Sequence, residues 1–229
     1  MDCWVLKTAK MLWIAFLGSS LRLIPVFFVA CQPETHPGLP YYNTPDFTPV
    51  FMKSENQLAE KVPHTIGRFS FKDQNGTIIS QKAIEGKIHV ADFFFTSCGM
   101  ICPRMTKHLK LVEKAFPNAK DLVLLSYSVT PWIDSVARLK KYSQTNGIQS
   151  KNWHLLTGRK SEIYQLARQS YFAEEELGYS KDSTEFLHTE HFILVDRQKR
   201  IRGIYNGTLE LEIQQLIADI KTLQQERLR

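Results

Sequence analysis

Residues 87–95, KIHVADFFF, form a nearly continuous apolar run rich in aromatic side chains. A strand that alternates apolar and polar residues can leave one face in water, whereas a run of this kind has to be covered on both. It predicts a central strand with packing layers on either side, which narrows the chain to an α/β architecture. The neighbouring sequence supplies those layers. Residues 103–116 place Met105, Leu109, Val112 and Phe116 four, three and four apart, one face of a helix, with Pro103 in its first turn. LVLLSYSV, residues 122–129, predicts a second buried strand. Residues 133–144 then predict a helix with Val136 and Leu139 inward, Asp134 near its start and Asn146-Gly147 as its stop. A short strand over 153–156, a helix over 161–170, a hairpin of 192–195 with 200–205 and a last helix over 209–224 follow. Ahead of the central strand, GRFSFKDQNGTIIS alternates apolar residues around Asn75-Gly76, a strong hairpin signal. The expectation is a mixed sheet flanked by helices, with an N-terminal hairpin and one domain over residues 63–229. There is no internal repeat.

The start of the chain reads differently. Residues 11–30 are apolar except for Gly18, Ser19, Ser20, Arg22 and Pro25, and lysines precede them, which marks an export signal peptide or a membrane anchor. The stretch ends FVACQPET, where a small residue stands directly before Cys31 after apolar residues. That pattern resembles the lipobox of bacterial lipoproteins, with cleavage before Cys31 and lipid on its thiol. The alternative is an uncleaved signal anchor, in which Arg22 would be costly at membrane depth. Both readings place the domain in the periplasm or otherwise outside the cytoplasm, where thiols can be oxidised. Residues 31–62, with prolines at 33, 37, 40, 45 and 49, predict a membrane tether of extended, unpaired backbone. The formal charge is +6, and residues 1–30 carry Lys7, Lys10, Arg22 and Asp2, so the rest holds +4. Its bases are dispersed among acids with no aromatic-interleaved stripe, which excludes a nucleic-acid-binding reading.

Cys98 follows the central strand directly and Cys102 stands four residues on, at the start of the next helix. In an open α/β sheet that is where ligands bind, beyond the carboxyl end of a strand. Cysteines four apart face the same side of a helical turn, and a helix N-terminus favours thiolate over thiol. Such a pair can cycle between dithiol and disulfide or bind a soft cation such as Cu(I). A purely stabilising disulfide explains the placement poorly, because closing so short a loop contributes little through chain entropy. Two thiolates make an incomplete metal site, so a metal requires a further ligand. Of the seven histidines, His64 borders the tether and His89 lies in the central strand. His108 falls near the charged side of the first helix, and His154 is in a short strand. His188 and His191 precede the strand FILV on a segment placed to reach the cysteines.

GKIHVADFFFTSCGMICPRM is similar to the signature of the Sco/SenC family of copper proteins, with SYSVTPWIDSVARLKKY, NWHLLTG and HTEHFILVD matching later segments in order. The resemblance spans about residues 62–223 and implies a thioredoxin-like fold. It also implies copper bound through Cys98, Cys102 and His188, and assistance in assembling the copper site of cytochrome c oxidase. The implied partner is the copper-accepting subunit of that oxidase or another exported thiol protein. His191 is not the aligned histidine and stands as the substitute ligand. The chain departs from the family at Gly99-Met100, where Pro-Asp is common, at Thr130, where Asp is usual, and at Leu187, where an acid often stands. Met100 adds a thioether beside the site. The competing reading is a thiol-disulfide oxidoreductase using only Cys98 and Cys102. A peroxidase reading lacks the PxxxTxxC context.

Overall fold

The computed structural model describes residues 38–52, 55–173 and 189–226. In chain order the elements are β1 (Tyr41–Tyr42), β2 (Pro49–Val50), α1 (Leu58–Lys61), β3 (Ser70–Lys72), β4 (Ile78–Ser80), β5 (Ile88–Phe94) and α2 (Ile101–Ala115). Then follow β6 (Leu122–Ser128), α3 (Val136–Thr145), β7 (Trp153–Leu156), α4 (Lys160–Gln169), β8 (His191–Val195), β9 (Ile201–Asn206) and α5 (Glu210–Gln225). β3 and β4 form the expected hairpin, and Gly76 supplies its turn at φ +79°. The other strands make one sheet in the order β2-β1-β9-β8-β5-β6-β7. β5, β6 and β7 are parallel, and β8 and β9 run antiparallel to their neighbours.

β5 is buried along its whole length, as its apolar run requires. Its side chains alternate between two cores. Ala91 and Phe93 point into one core with Tyr127, Ile163, Tyr164, Tyr171, Ile193 and the hairpin residues Phe69, Phe71 and Ile79. Val90 and Phe94 point into the other with Met105, Leu109 and Val112 of α2, Leu139 of α3 and Ile213, Leu216 and Ile220 of α5. Helices α2, α3 and α5 therefore cover one face, and α4 with the hairpin covers the other. This is the mixed sheet flanked by helices expected of a thioredoxin-like fold.

The sheet has two distinct ends. The carboxyl ends of β5, β6 and β7 share one of them with the start of β8 and the end of β9. The opposite end gathers the β8–β9 turn, the start of β6 and the last turn of α5. There Asp121 accepts from Ile88 N at 2.9 Å, from Arg197 Nη2 at 2.9 Å and from Gln224 Nε2 at 3.0 Å.

The expectation of unpaired tether backbone is corrected from residue 38 onward. Tyr42 pairs with Ile201 of β9, β1 pairs with β2, and Leu58, Val62 and Tyr41 are buried together. Arg202, buried in β9, is the agent. It donates to Leu39 O at 2.9 Å, Pro40 O at 3.1 Å and both carboxylate oxygens of Glu226 at 2.8 and 2.9 Å. It also reaches Asp196 at 3.3 Å and lies 4.0 Å from the centroid of the Tyr41 ring. Proline lacks the N–H but keeps the carbonyl, so a proline-rich stretch still offers acceptors to a buried guanidinium. Two helix boundaries also move. α2 begins at Ile101, ahead of Pro103. α3 begins at Val136 because Ile133 N and Asp134 N both donate to Thr130 O at 2.8 Å and Ser135 caps Arg138 N at 3.3 Å.

Candidate functional site

Residues 95–100 cross from the carboxyl end of β5 into α2 and carry the first thiol. Cys98 is half-buried and Cys102, in the first turn of α2, is buried; both are free thiols. Cys102 N donates to Cys98 Sγ at 3.4 Å, which seats that sulfur on the helix N-terminus. Partial burial pushes the Cys98 pKa up, but the backbone amides of Cys102, Met100 and Ile101 and the Cys102 side chain together hold it below the ordinary thiol value. Burial pushes Cys102 the other way, up to about 12, with the charges of Cys98 and Asp92 adding to it and a backbone bond at Phe95 opposing. The pair is therefore asymmetric, with an accessible, more acidic thiol in front of a buried, less acidic one.

Three further groups surround the thiols, none of them read from the sequence as part of the site. Asp134 is fully buried and accepts from Thr96 N at 3.2 Å, Thr96 Oγ1 at 2.5 Å, Ser128 Oγ at 2.6 Å and Thr130 Oγ1 at 3.0 Å. Arg138 closes the cluster, 3.4 Å from Asp134 and 2.6 Å from Thr96 Oγ1. Thr96 stands two residues before Cys98, so Asp134 fixes the thiol loop to the end of β6. Thr130, one of the departures noted above, takes part as a donor to Asp134. Asp92 is buried on β5, and burial raises its pKa to about 7 against the 2.5 Å bond donated by Ser126 Oγ. Trp153 Nε1 donates to the same hydroxyl at 3.0 Å. Tyr142 shares a 2.7 Å bond with Thr106 on α2, and burial first, then the nearby thiols and Asp92, raise its pKa to about 12. An acid inside an otherwise apolar run was the available signal for Asp92.

The rim of the site is apolar. Met100 is 85% exposed, Trp132 59% and Ile133 41%. The Met100 thioether thus faces solvent.

The histidines separate cleanly. His188, like Cys31 and Leu187, lies outside the described residues. His191 does not meet the thiols: Phe192 belongs to the core that holds Cys102, so strand alternation turns His191 to the opposite face of the sheet. There its ring meets Phe47 edge-on at 6.1 Å, and its buried Nδ1 has no hydrogen-bond partner. β8 begins beside the carboxyl end of β5, so the chain just before it, at Thr189 and Glu190, reaches the thiol end of the sheet. His108 corrects the expectation of a charged face; it is buried and its Nδ1 bonds Gly207 O at 2.8 Å. His89 bonds Tyr171 Oη at 3.1 Å, and burial lowers its pKa to about 3. His64 bonds Ser170 O at 2.8 Å, and His154 lies 3.2 Å from Asp73. Among the described residues no three histidine, cysteine or acidic side chains converge as a metal site, so a metal held by the two sulfurs would require a further ligand. Their chemistry suits a soft ion.

The sequence profile of the family described as SCO1/SenC matches residues 57–225. The SCO1 protein homolog of Bacillus subtilis (strain 168) is 30% identical over 168 residues, 72% of this chain and 86% of that protein. A solved SCO1/SenC family lipoprotein from Bacillus anthracis str. Ames has TM-score 0.61 and 29% identity, covering 71% of this chain and 96% of its own. BsSco, described as a member of the Sco family of cytochrome c oxidase assembly proteins with a disulfide switch, has TM-score 0.59 and 28% identity over 72% and 95%. ScoI of Bradyrhizobium japonicum, solved with copper bound, has TM-score 0.55 and 26% identity over 69% and 99%.

Proposed function

This chain belongs to the SCO1/SenC family, and from that premise we propose that it is a copper-binding metallochaperone assisting assembly of the copper site of cytochrome c oxidase. Cys98, Cys102 and His188 are the ligands in this reading. The observation that carries it is the sulfur pair seated at the N-terminus of α2, with the Cys102 amide 3.4 Å from Cys98 Sγ. Two sulfurs and an imidazole suit Cu(I) and leave a coordination position for a partner's ligand during transfer. A copper-bound relative and one described as an oxidase assembly protein support the same direction. The domain works outside the cytoplasm, held to a membrane by lipid on Cys31 or by residues 11–30; a lipoprotein relative favours the lipid. Among the described residues no helix is long and apolar enough to cross a membrane.

Copper titration of the reduced protein tests the ligand set. Wild type should bind Cu(I) tightly, His188→Ala much more weakly, and the Cys98→Ser/Cys102→Ser variant least. Equal affinity in wild type and the double variant would overturn the proposal.

The asymmetry of the two thiols favours a second reading, a thiol-disulfide oxidoreductase acting on an exported partner. The Cys98 thiolate would attack the partner disulfide and release one partner thiolate, which takes a proton. Cys102, on losing its proton, would then attack Cys98, freeing the second partner thiol and leaving a Cys98–Cys102 disulfide. His188→Ala separates the two readings, since it weakens copper binding and spares exchange.

A further inference from the structure

The end of the sheet opposite the thiols carries a feature of its own. Ile88 N bonds Asp121 O, Arg197 bridges Asp121 and Leu223 O, and Ile66 N bonds Lys199 O. These contacts gather Lys87, Lys120, Arg197, Lys199, Arg200 and Lys221 at one end of the domain. The acids there are largely engaged: Asp121 by Arg197, Asp196 and Glu226 by the buried Arg202. Lys87, Lys120, Lys199, Arg200 and Lys221 have no acid within ion-pair distance among the described residues. Glu85, exposed two residues before Lys87, and Glu60, exposed two residues before the Val62 carbonyl that Arg200 holds, offset two of them in part. The described chain also begins here, with Leu39 and Pro40 on Arg202 and Gly38 beside Glu226. Gly38 is seven residues after Cys31, and seven residues span at most ~25 Å.

We propose that this basic end is a lipid-contacting face that lies against an anionic bilayer surface, with the thiol end directed away from the membrane. The occupant is a lipid surface because charge and chain connection point the same way. Unpaired lysines meet phosphate headgroups, and a short attachment brings this end, not the other, to the bilayer. The seven residues of β5 set the thiol loop roughly 20 Å farther out. The proposal rests on the N-terminal segment being membrane-attached.

The test uses the full chain in vesicles of neutral phospholipid, with or without phosphatidylglycerol, carrying an energy-transfer acceptor at the headgroups. One sample bears a donor dye on Cys98; the other bears it on Gln225→Cys combined with Cys98→Ser, both in a Cys3→Ser background. On anionic vesicles the dye at 225 should transfer roughly twofold more, as a ~20 Å separation along the strands implies. Raising ionic strength from about 0.1 M to about 1 M shortens the screening length from ~10 to ~3 Å and should shrink that difference. Omitting the anionic lipid, or combining Lys87→Glu, Lys120→Glu and Lys199→Glu, should do the same. Equal or greater transfer from Cys98 overturns the proposal, as does a difference indifferent to salt, lipid charge and charge reversal. A chain that fails to float with the vesicles overturns it together with the anchoring it rests on. Copper titration of the unlabelled, reduced wild-type chain on the same vesicles reports on the metal site separately.

Discussion

Three residues separate Cys98 from Cys102, and their surroundings decide which reacts first. Amides at the start of α2 outweigh partial burial and keep Cys98 below the ordinary thiol pKa, while burial holds Cys102 near 12. Iodoacetamide at neutral pH should therefore modify Cys98 and spare Cys102 in the reduced protein. Peptide mass mapping reads this directly, and equal labelling of the two would contradict the asymmetry. Asp134 makes a second prediction at this scale. Asp134→Ala strips the acceptor from Thr96, Ser128 and Thr130 and the counter-charge from Arg138. Leaving those buried hydroxyl donors without their acceptor costs about 1–3 kcal/mol, measurable by urea unfolding; an unchanged midpoint would mean the cluster holds nothing. The cysteines were legible from spacing alone. Asp134 was legible only as an acid near a helix start, because Thr96, 38 positions away, comes to it through the parallel pairing of β5 with β6.

Strand β5 was the most readable element, and its apolar run concealed a titrating group. Asp92 has an ordinary pKa of 3.8 and a folded one near 7, raised by burial against the Ser126 bond. Below pH 3.8 the acid is protonated in both states and its contribution to stability is fully present. As pH rises through 7 the folded chain must hold a buried carboxylate, and that stability is lost. The unfolding free energy of the metal-free, reduced protein should fall from pH 4 to above 7, by an amount on the order of 4 kcal/mol from this group. Asp92→Asn should flatten the slope; identical slopes in both proteins would count against the assignment. Other elements were read in the right order with displaced ends. The Thr130 turn and Ser135 cap delay α3 to Val136, and such local bonds compete with helix in ways periodicity does not report.

At the scale of the molecule, the order of strands and helices and the place of the thiols followed from sequence, whereas the ends of the domain did not. Proline content suggested that residues 31–62 stay free of the fold, yet β1 and β2 extend the sheet, and one buried arginine collects the carbonyls of Leu39 and Pro40 just ahead of β1. Likewise, the modest charge looked dispersed along the chain; Lys87, Lys120 and Lys199 come together only through the sheet. Arg202→Ala would leave Asp196 and Glu226 without their cation, a loss of about 3 kcal/mol. It should also expose residues 38–52 to limited proteolysis, while protection equal to wild type would show that strand pairing alone retains them.

The same arginine sets an order of events. Arg202 lies 163 residues after Leu39, whose carbonyl it holds, and Glu226 lies later still. Contacts that close so long a loop form late, because the chain entropy they remove is large. If the chain is exported amino end first, as proposed above, residues 38–52 reach the far side well before the strand that will hold them. Until β9 and α5 arrive, that stretch stands open to the proteases and chaperones of the receiving compartment.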